Sequence, residues 1–342
     1  MLKINVIKAF DGDCILINFL GSNKEIRNIL IDGGIHRTYV KDLRTVLNDI
    51  KERGEFIDLL VITHIHDDHI GGIIEFYQDI DFEKEIIKKV WFNSKILLEK
   101  IAPNLEDGSE EISLSVANNT KMGVRSGSTL ETILKQEGNW DEKVIQFGEK
   151  LEIDDAKITV LTPTLEGVQA LKKVMRVEEG ESTLQAANKK DYHEKVEDLI
   201  KKDFEEDKSD TNRSSISFIF EYTNKRILLL GDAWPNDIVS SLKALGYSNE
   251  NQLKIDYMKI SHHASKKNTN KELLDLIDCQ KFIISTDGSK HGLPNKEALA
   301  RIITSKKSVE LLFNYEIYSD IFTREEMQNY NFHCYDIEGV EV

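Results

Sequence analysis

The chain has 342 residues, 40% hydrophobic and 31% charged, enough to bury a sizeable core in one large domain or two ordinary ones. No run of 18 apolar residues occurs, which excludes a membrane-spanning helix. The net charge of -15 is the opposite of the basic face a nucleic-acid binder usually carries, although dications in a site would add positive charge that the formal count omits.

Cys14, Cys279 and Cys334 are widely spaced and form no CxxC pair, which suits a reducing cytoplasm. The opening Met1-Leu2-Lys3-Ile4-Asn5-Val6 lacks the apolar core and cleavage site of a signal peptide. A cytoplasmic protein without a membrane partner is expected.

In chain order, Leu2 to Ala9, Cys14 to Phe19 and Ile26 to Ile31 read as strands. They are broken by the turn formers Asp11-Gly12-Asp13 and Gly21-Ser22-Asn23. Val40, Leu43, Val46, Leu47 and Ile50 have helical spacing. Phe56 to Ile62 is a buried strand, Ile70 to Tyr77 a helix and Val90 to Phe92 a short strand. Leu97, Leu98 and Ile101 suggest one short helix, and Leu130, Ile133 and Leu134 another. Strands resume at Lys143 to Phe147, Lys150 to Ile153 and Lys157 to Leu161.

The stretch 165–210 stands apart, with 13 acidic and 9 basic residues. Its apolar stripe, Tyr192, Val196, Leu199, Ile200 and Phe204, reads as a solvated amphipathic helix. The alternative is a lid or an arm for self-association or a partner protein. Strands return at Ser214 to Tyr222, Arg226 to Leu230, Ile255 to Ile260 and Lys281 to Ser285. Helices at Asp237 to Leu245, Lys271 to Ile277 and Asn295 to Thr304 alternate with them. Each half thus begins with strands and later alternates strand and helix, so two stacked sheets with helices outside are expected. The chain reads as a single domain over 1–342, with a charged helical insertion at about 165–210.

The chemistry concentrates at strand exits. Thr63-His64-Ile65-His66-Asp67-Asp68-His69 puts three of the nine histidines and two carboxylates directly after an apolar strand. Such a density of imidazole and carboxylate is what a divalent transition metal takes as ligands. In an extended loop residues two apart point the same way, so His64 and His66 can hold one metal. Asp68 and His69, at the start of the next helix, suit a second. Asp232 leaves the strand of Leu229-Leu230-Gly231 and is expected to bridge the two ions. It also suits the N-cap of the following helix. His262 and His263 leave a later strand; His262 is read as the ligand and His263 as a substrate contact. His291, in a turn before a helix, is a candidate proton donor. Asp32, in Ile31-Asp32-Gly33-Gly34, is placed to accept hydrogen bonds from ligand imidazoles. Asp13 approaches the same edge, or serves as a simple turn residue.

Together these residues resemble the metallo-β-lactamase fold superfamily. A narrower resemblance, to ComEC-type hydrolase domains, lies in Asp11-Gly12-Asp13-Cys14-Ile15-Leu16-Ile17, in Asn212 to Phe218 and in Ser261-His262-His263-Ala264-Ser265. Ala264 stands where that family has Gly, and Leu293 where it usually has His. Many superfamily members carry a further metal-binding His near Leu161-Thr162-Pro163-Thr164, and none is present here.

The resemblance implies an αββα sandwich of four layers. It also implies hydrolysis at a dinuclear centre with a bridging hydroxide. His64, His66 and Asp232 would hold one ion, and Asp68, His69, Asp232 and His262 the other. Zn is expected ahead of Mn. His263 or His291 would contact phosphate or protonate the leaving oxygen, and Asp68 would share in catalysis. The implied substrate is a phosphodiester, in nucleic acid or in a small molecule. The alternatives are an ester, thioester or lactam hydrolase on the same metals, or a regulatory module without turnover.

Overall fold

Period-two alternation decides which face of each strand meets which layer. The computed structural model describes residues 1–101, 118–176 and 189–342. Its early strands are β1 (Leu2–Val6), β2 (Ile15–Leu20), β3 (Ile26–Ile31), β4 (Leu59–Val61), β5 (Val90–Trp91), β6 (Lys150–Ile153), β7 (Ala156–Thr162) and β8 (Ser217–Tyr222). The later ones are β9 (Lys225–Leu229), β10 (Leu253–Lys254), β11 (Tyr257–Lys259), β12 (Ile277–Asp278), β13 (Lys281–Ile284), β14 (Val309–Phe313), β15 (Phe332–Asp336) and β16 (Gly339–Glu341).

One sheet has the order β16-β1-β2-β3-β4-β5 and the other β15-β14-β13-β11-β9-β8-β7-β6. β10 and β12 form a separate parallel pair. In the first sheet Ile17, Ile29, Ile31, Leu59 and Val61 face inward, where they meet Phe218, Phe220, Ile227, Leu229 and Ile283 of the second. The alternate residues Leu16, Leu30 and Leu60 pack outward on Leu43, Leu47, Ile70 and Ile73 of the helices. Leu228, Met258, Phe282 and Leu311 pack outward in the same way on Ile238, Leu242, Leu299 and Ile302. Strands buried on both faces are apolar runs, which is why they stood out in the sequence. The result is the expected four layers: helices, sheet, sheet, helices.

Three sequence readings change. Lys143 to Phe147 is not a strand. The Asn93 side chain binds both backbone groups of Ile145, at 2.8 Å each, and takes the place of a neighbouring strand. Residues 118–137 form one 20-residue helix rather than a short one. The proposed surface helix through Tyr192 and Phe204 is a single turn, Val196–Leu199. Val196 and Leu199 are fully buried against the second sheet's helices instead of floating in solvent. Asp191 caps the helix Lys296–Ser305 by accepting from the Lys296 and Glu297 N–H groups, which draws this segment into the core. The middle of the charged stretch, 177–188, lies outside the described residues, as does 102–117. No helix of the described residues is long and apolar enough to cross a membrane.

Backbones approach closely where the helix Asp67–Gln78 packs on the exit of β3. A Cβ at Gly72, in the helix Asp67–Gln78, would overlap the Gly33 carbonyl oxygen, which neither helix nor strand exit can move. Gly72→Ala is therefore expected to cost about 1–3 kcal/mol in chemical denaturation. A variant as stable as the wild type would show that this contact relaxes freely.

Candidate metal centre

Every residue of the site lies at one end of the sandwich, outside the carboxyl ends of β3, β4, β9, β11 and β13. Open parallel sheets present ligand-binding groups at that end. Asp32 follows β3, His64 to His69 follow β4, Asp232 follows β9, and His262 and His263 follow β11. The β1–β2 connection reaches the same end, where Asp13 N–H donates to the Asp68 carbonyl at 3.2 Å. Gly12 permits this contact, since a Cβ there would strike the Asp68 carbonyl oxygen.

The centre is organised around the Asp232 carboxylate, 1% exposed. Its Oδ2 lies 3.7 Å from His64 Nε2 and 3.7 Å from His262 Nε2. Its Oδ1 lies 3.5 Å from His69 Nε2 and 3.9 Å from His263 Nε2. His66 Nδ1 is 3.1 Å from His64 Nε2 and joins the Oδ2 group. Asp68 Oδ2 stands 3.6 Å from His263 Nε2 and 3.9 Å from His69 Nε2, and joins the Oδ1 group. One carboxylate thus faces two separate sets of donors.

The donors fit cations better than they fit one another. His69 Nε2, His263 Nε2 and Asp232 Oδ1 are buried atoms without any hydrogen-bond partner. Such orphans are costly in a protein interior, and a cation among these three atoms would satisfy them together. Donor atoms of His64, His66 and Asp232 lie within 4.8 Å of one another, as do those of Asp13, His69, Asp232 and His263.

The far side of each ring is held. His69 Nδ1 lies 2.7 Å from Asp32 Oδ2, which also accepts from the Thr63 hydroxyl at 2.8 Å, while Asp32 Oδ1 accepts from the Thr63 N–H at 2.8 Å. His64 Nδ1 is 3.1 Å from the Ser215 hydroxyl, whose oxygen accepts from the Asp232 N–H at 3.2 Å. His263 Nδ1 donates to the Ser285 carbonyl at 2.8 Å, with Asp13 Oδ1 3.4 Å away. An Nδ1–H fixed on a carbonyl leaves Nε2 bare and aimed at the cluster. Asp13 in turn is paired with Lys259, whose side chain is 1% exposed. Asp13 therefore acts behind His263 rather than as a turn residue alone.

The late histidine pair differs from the sequence reading. His262 faces the His64 and His66 group rather than the Asp68 and His69 group, and His263 faces the latter instead of a substrate. The cause is local. His262, His263 and Ala264 all adopt left-handed backbone, with φ 48°, 51° and 65°, so the turn directs both rings inward. Strain of this kind costs of order 1–2 kcal/mol per residue and persists at functional sites. Thr162, near the place where the resemblance expects another histidine, is tied to the Ser215 carbonyl and the Ser217 hydroxyl. His262 supplies the third imidazole beside His64 and His66.

His291 is exposed on its turn and, among the described residues, makes no hydrogen bond or ion pair with the cluster. His36, His193 and His333 also lie outside it; His36 pairs with Glu75 at 2.9 Å. The roles of Lys259, Ser215, Asn268 and Asp207 were not read from the sequence. Lys259 carried a signal, a lysine within an otherwise apolar strand.

Residues 8–117 match the family model of the metallo-beta-lactamase superfamily, a span that holds Asp13, Asp32 and the cluster at 64–69. No curated protein matches the chain. Among solved structures, the chain is similar to Tm1679, a metal-dependent hydrolase of the beta-lactamase superfamily, at 13% identity, with 100% of this chain and 99% of that one covered and a TM-score of 0.43. It is similar to the metallo-beta-lactamase fold protein YhfI from Bacillus subtilis at 11% identity, with 98% and 95% covered and a TM-score of 0.42. It is also similar to CmlA, a diiron beta-hydroxylase from Streptomyces venezuelae, at 13% identity, with 86% and 46% covered and a TM-score of 0.41. The chain spans about half the length of the CmlA structures.

Without cations the cluster retains protons. Burial alone would lower the His69 pKa, but Asp232, Asp32 and Asp68 outweigh it and raise it well above the usual value. Burial opposes charge on His263 as well, yet Asp13, Asp232 and Asp68 push its pKa up to about 10. His262 is raised too, by Asp232 and Asp207 against burial. His69 and His263 thus hold protons at neutral pH and must lose them to bind a metal. Metal affinity is therefore expected to rise with pH through neutrality. Calorimetric heats of Zn2+ binding should scale with the ionisation enthalpy of the buffer. Heats independent of buffer would contradict the protonated cluster.

Proposed function

We propose that this chain is a metal-dependent hydrolase of the metallo-β-lactamase superfamily, with a dinuclear centre that cleaves phosphodiesters as a phosphodiesterase or nuclease. The division of Asp232 between two donor sets carries the reading, since one carboxylate shared by two clusters is what a bridged pair of cations requires. Asp232 Oδ2 with His64, His66 and His262 would hold one ion. Asp232 Oδ1 with Asp68, His69 and His263 would hold the other. A set of five imidazoles and two carboxylates suits zinc ahead of manganese, which favours oxygen.

Two divalent ions in such a site supply a water that ionises near pH ~7 and positive charge to polarise a phosphoryl oxygen. The chain's own groups do the rest. The Asp68 side chain is 25% exposed, so it stands where solvent meets the buried donors and can accept the proton of an attacking water. The His262 side chain, also 25% exposed, gives the other donor set its own access to solvent. Asp32 and Asp13 hold the rings of His69 and His263 from behind and keep them in place as charge shifts during the reaction. The phosphodiester assignment rests on the likeness of Asp11 to Ile17, Asn212 to Phe218 and Ser261 to Ser265 to ComEC-type hydrolase domains.

Purified protein should carry about two metal ions per chain. It should hydrolyse bis(p-nitrophenyl) phosphate and leave nitrocefin and thioesters intact. His66→Ala and Asp232→Ala should each lose roughly 100-fold or more in kcat/KM, the equivalent of about 3 kcal/mol of transition-state stabilisation. Turnover of nitrocefin or a thioester with no phosphodiester cleavage would overturn the substrate class. Less than one metal per chain, with Asp232→Ala as active as the wild type, would overturn the enzyme reading itself.

A further inference from the structure

Three carboxylates stand behind the donor imidazoles, and one of them comes from the charged stretch read as a surface element. Asp207 Oδ2 lies 3.4 Å from His262 Nδ1. It accepts from Asn268 Nδ2 at 3.2 Å and from Asn212 Nδ2 at 2.7 Å. Asn268 is fully buried, and its Nδ2 also donates to the Asp232 carbonyl at 3.1 Å. With its amide nitrogen held between two oxygens, Asn268 must turn Oδ1 to the third neighbour. That neighbour is His262 Nδ1, 3.1 Å away. Two acceptors there, Asn268 Oδ1 and Asp207 Oδ2, select the tautomer with the proton on Nδ1, and Asn212 Nδ2, 3.3 Å from the same nitrogen, donates to Asp207 Oδ2 at the shorter distance of 2.7 Å. The bare Nε2 is then directed at Asp232 Oδ2.

We propose that Asp207 is a positioning residue for His262, acting through Asn268, and that it makes the segment around 205–209 part of the metal centre. The inference rests on the dinuclear reading above. Asp207 also has a local role, since its Oδ1 accepts from the Lys208 and Ser209 N–H groups and shapes its own turn. The relay and the turn use different oxygens and can be separated. Asp207→Asn leaves one oxygen where two acceptors are needed. Asn268→Leu keeps the side-chain bulk and leaves the Asp207 turn intact, but removes the group that orients His262.

The deciding experiment is calorimetric titration of metal-free protein with Zn2+, with metal content per chain measured in parallel. His262→Ala and His263→Ala serve as references for the two donor sets. Wild type should bind two ions. Asp207→Asn and Asn268→Leu should each bind one ion as tightly as wild type and the other ~10–100-fold more weakly, the range seen for groups that orient ligands. Their profile should match His262→Ala and not His263→Ala. Unchanged affinities for both ions, or equal weakening of both, would overturn the positioning role. Wild type binding fewer than two ions would overturn the dinuclear reading beneath it.

Discussion

The constraint on which the rest depends is the burial of Asp232 at the seam between two sheets. A carboxylate 1% exposed is severely destabilising unless opposite charge surrounds it. Burial alone would raise its pKa, yet His262, His69 and His263 outweigh that and hold it well below the ordinary carboxylate range. Those rings come from both sheets, so the charge is stable only when the strand exits are all in register. The inner and outer apolar faces of the strands set that register, and a slip of one residue would turn the donors away.

The rings are aimed by a further layer of charge, which is where the fold carries its strain. Asp13 is buried and paired with Lys259, also buried, an arrangement that costs desolvation on both partners. Asp32 has left-handed backbone with φ 57°, and so do His262, His263 and Ala264. None of this is what stability alone would select. Each feature places one side-chain atom, and the tightly packed layers on either side of the seam supply the stability that tolerates it.

Legibility followed from how local each signal was. The doubly buried strands and the 64–69 cluster announce themselves in a few consecutive residues. Asp232 was found because a carboxylate ends an apolar strand. The split between His262 and His263 was not legible, since it depends on three successive left-handed residues, one of them an alanine. Asp207 was hidden in a stretch with many acids, where nothing in spacing distinguishes the one that reaches Asn268. The stripe from Tyr192 to Phe204 misled because helical periodicity reports an apolar face and not the length of the helix. The late strands Val309–Phe313, Phe332–Asp336 and Gly339–Glu341 went unread, the last closing the first sheet against β1 from the far end of the chain.

Neither sheet holds a complete set of donors. His64, His66, Asp68 and His69 leave the first sheet, whereas Asp232, His262 and His263 leave the second. Each donor set therefore spans the seam, with two residues from one side, one imidazole from the other, and Asp232 common to both. Cations bound here would draw the two sheets together, and their binding energy would add to the cohesion of the sandwich as well as to its chemistry. The Asp232, Asp32, Asp68 and Asp13 carboxylates raise the pKa values of His69 and His263, and protons on those rings supply positive charge to the same seam.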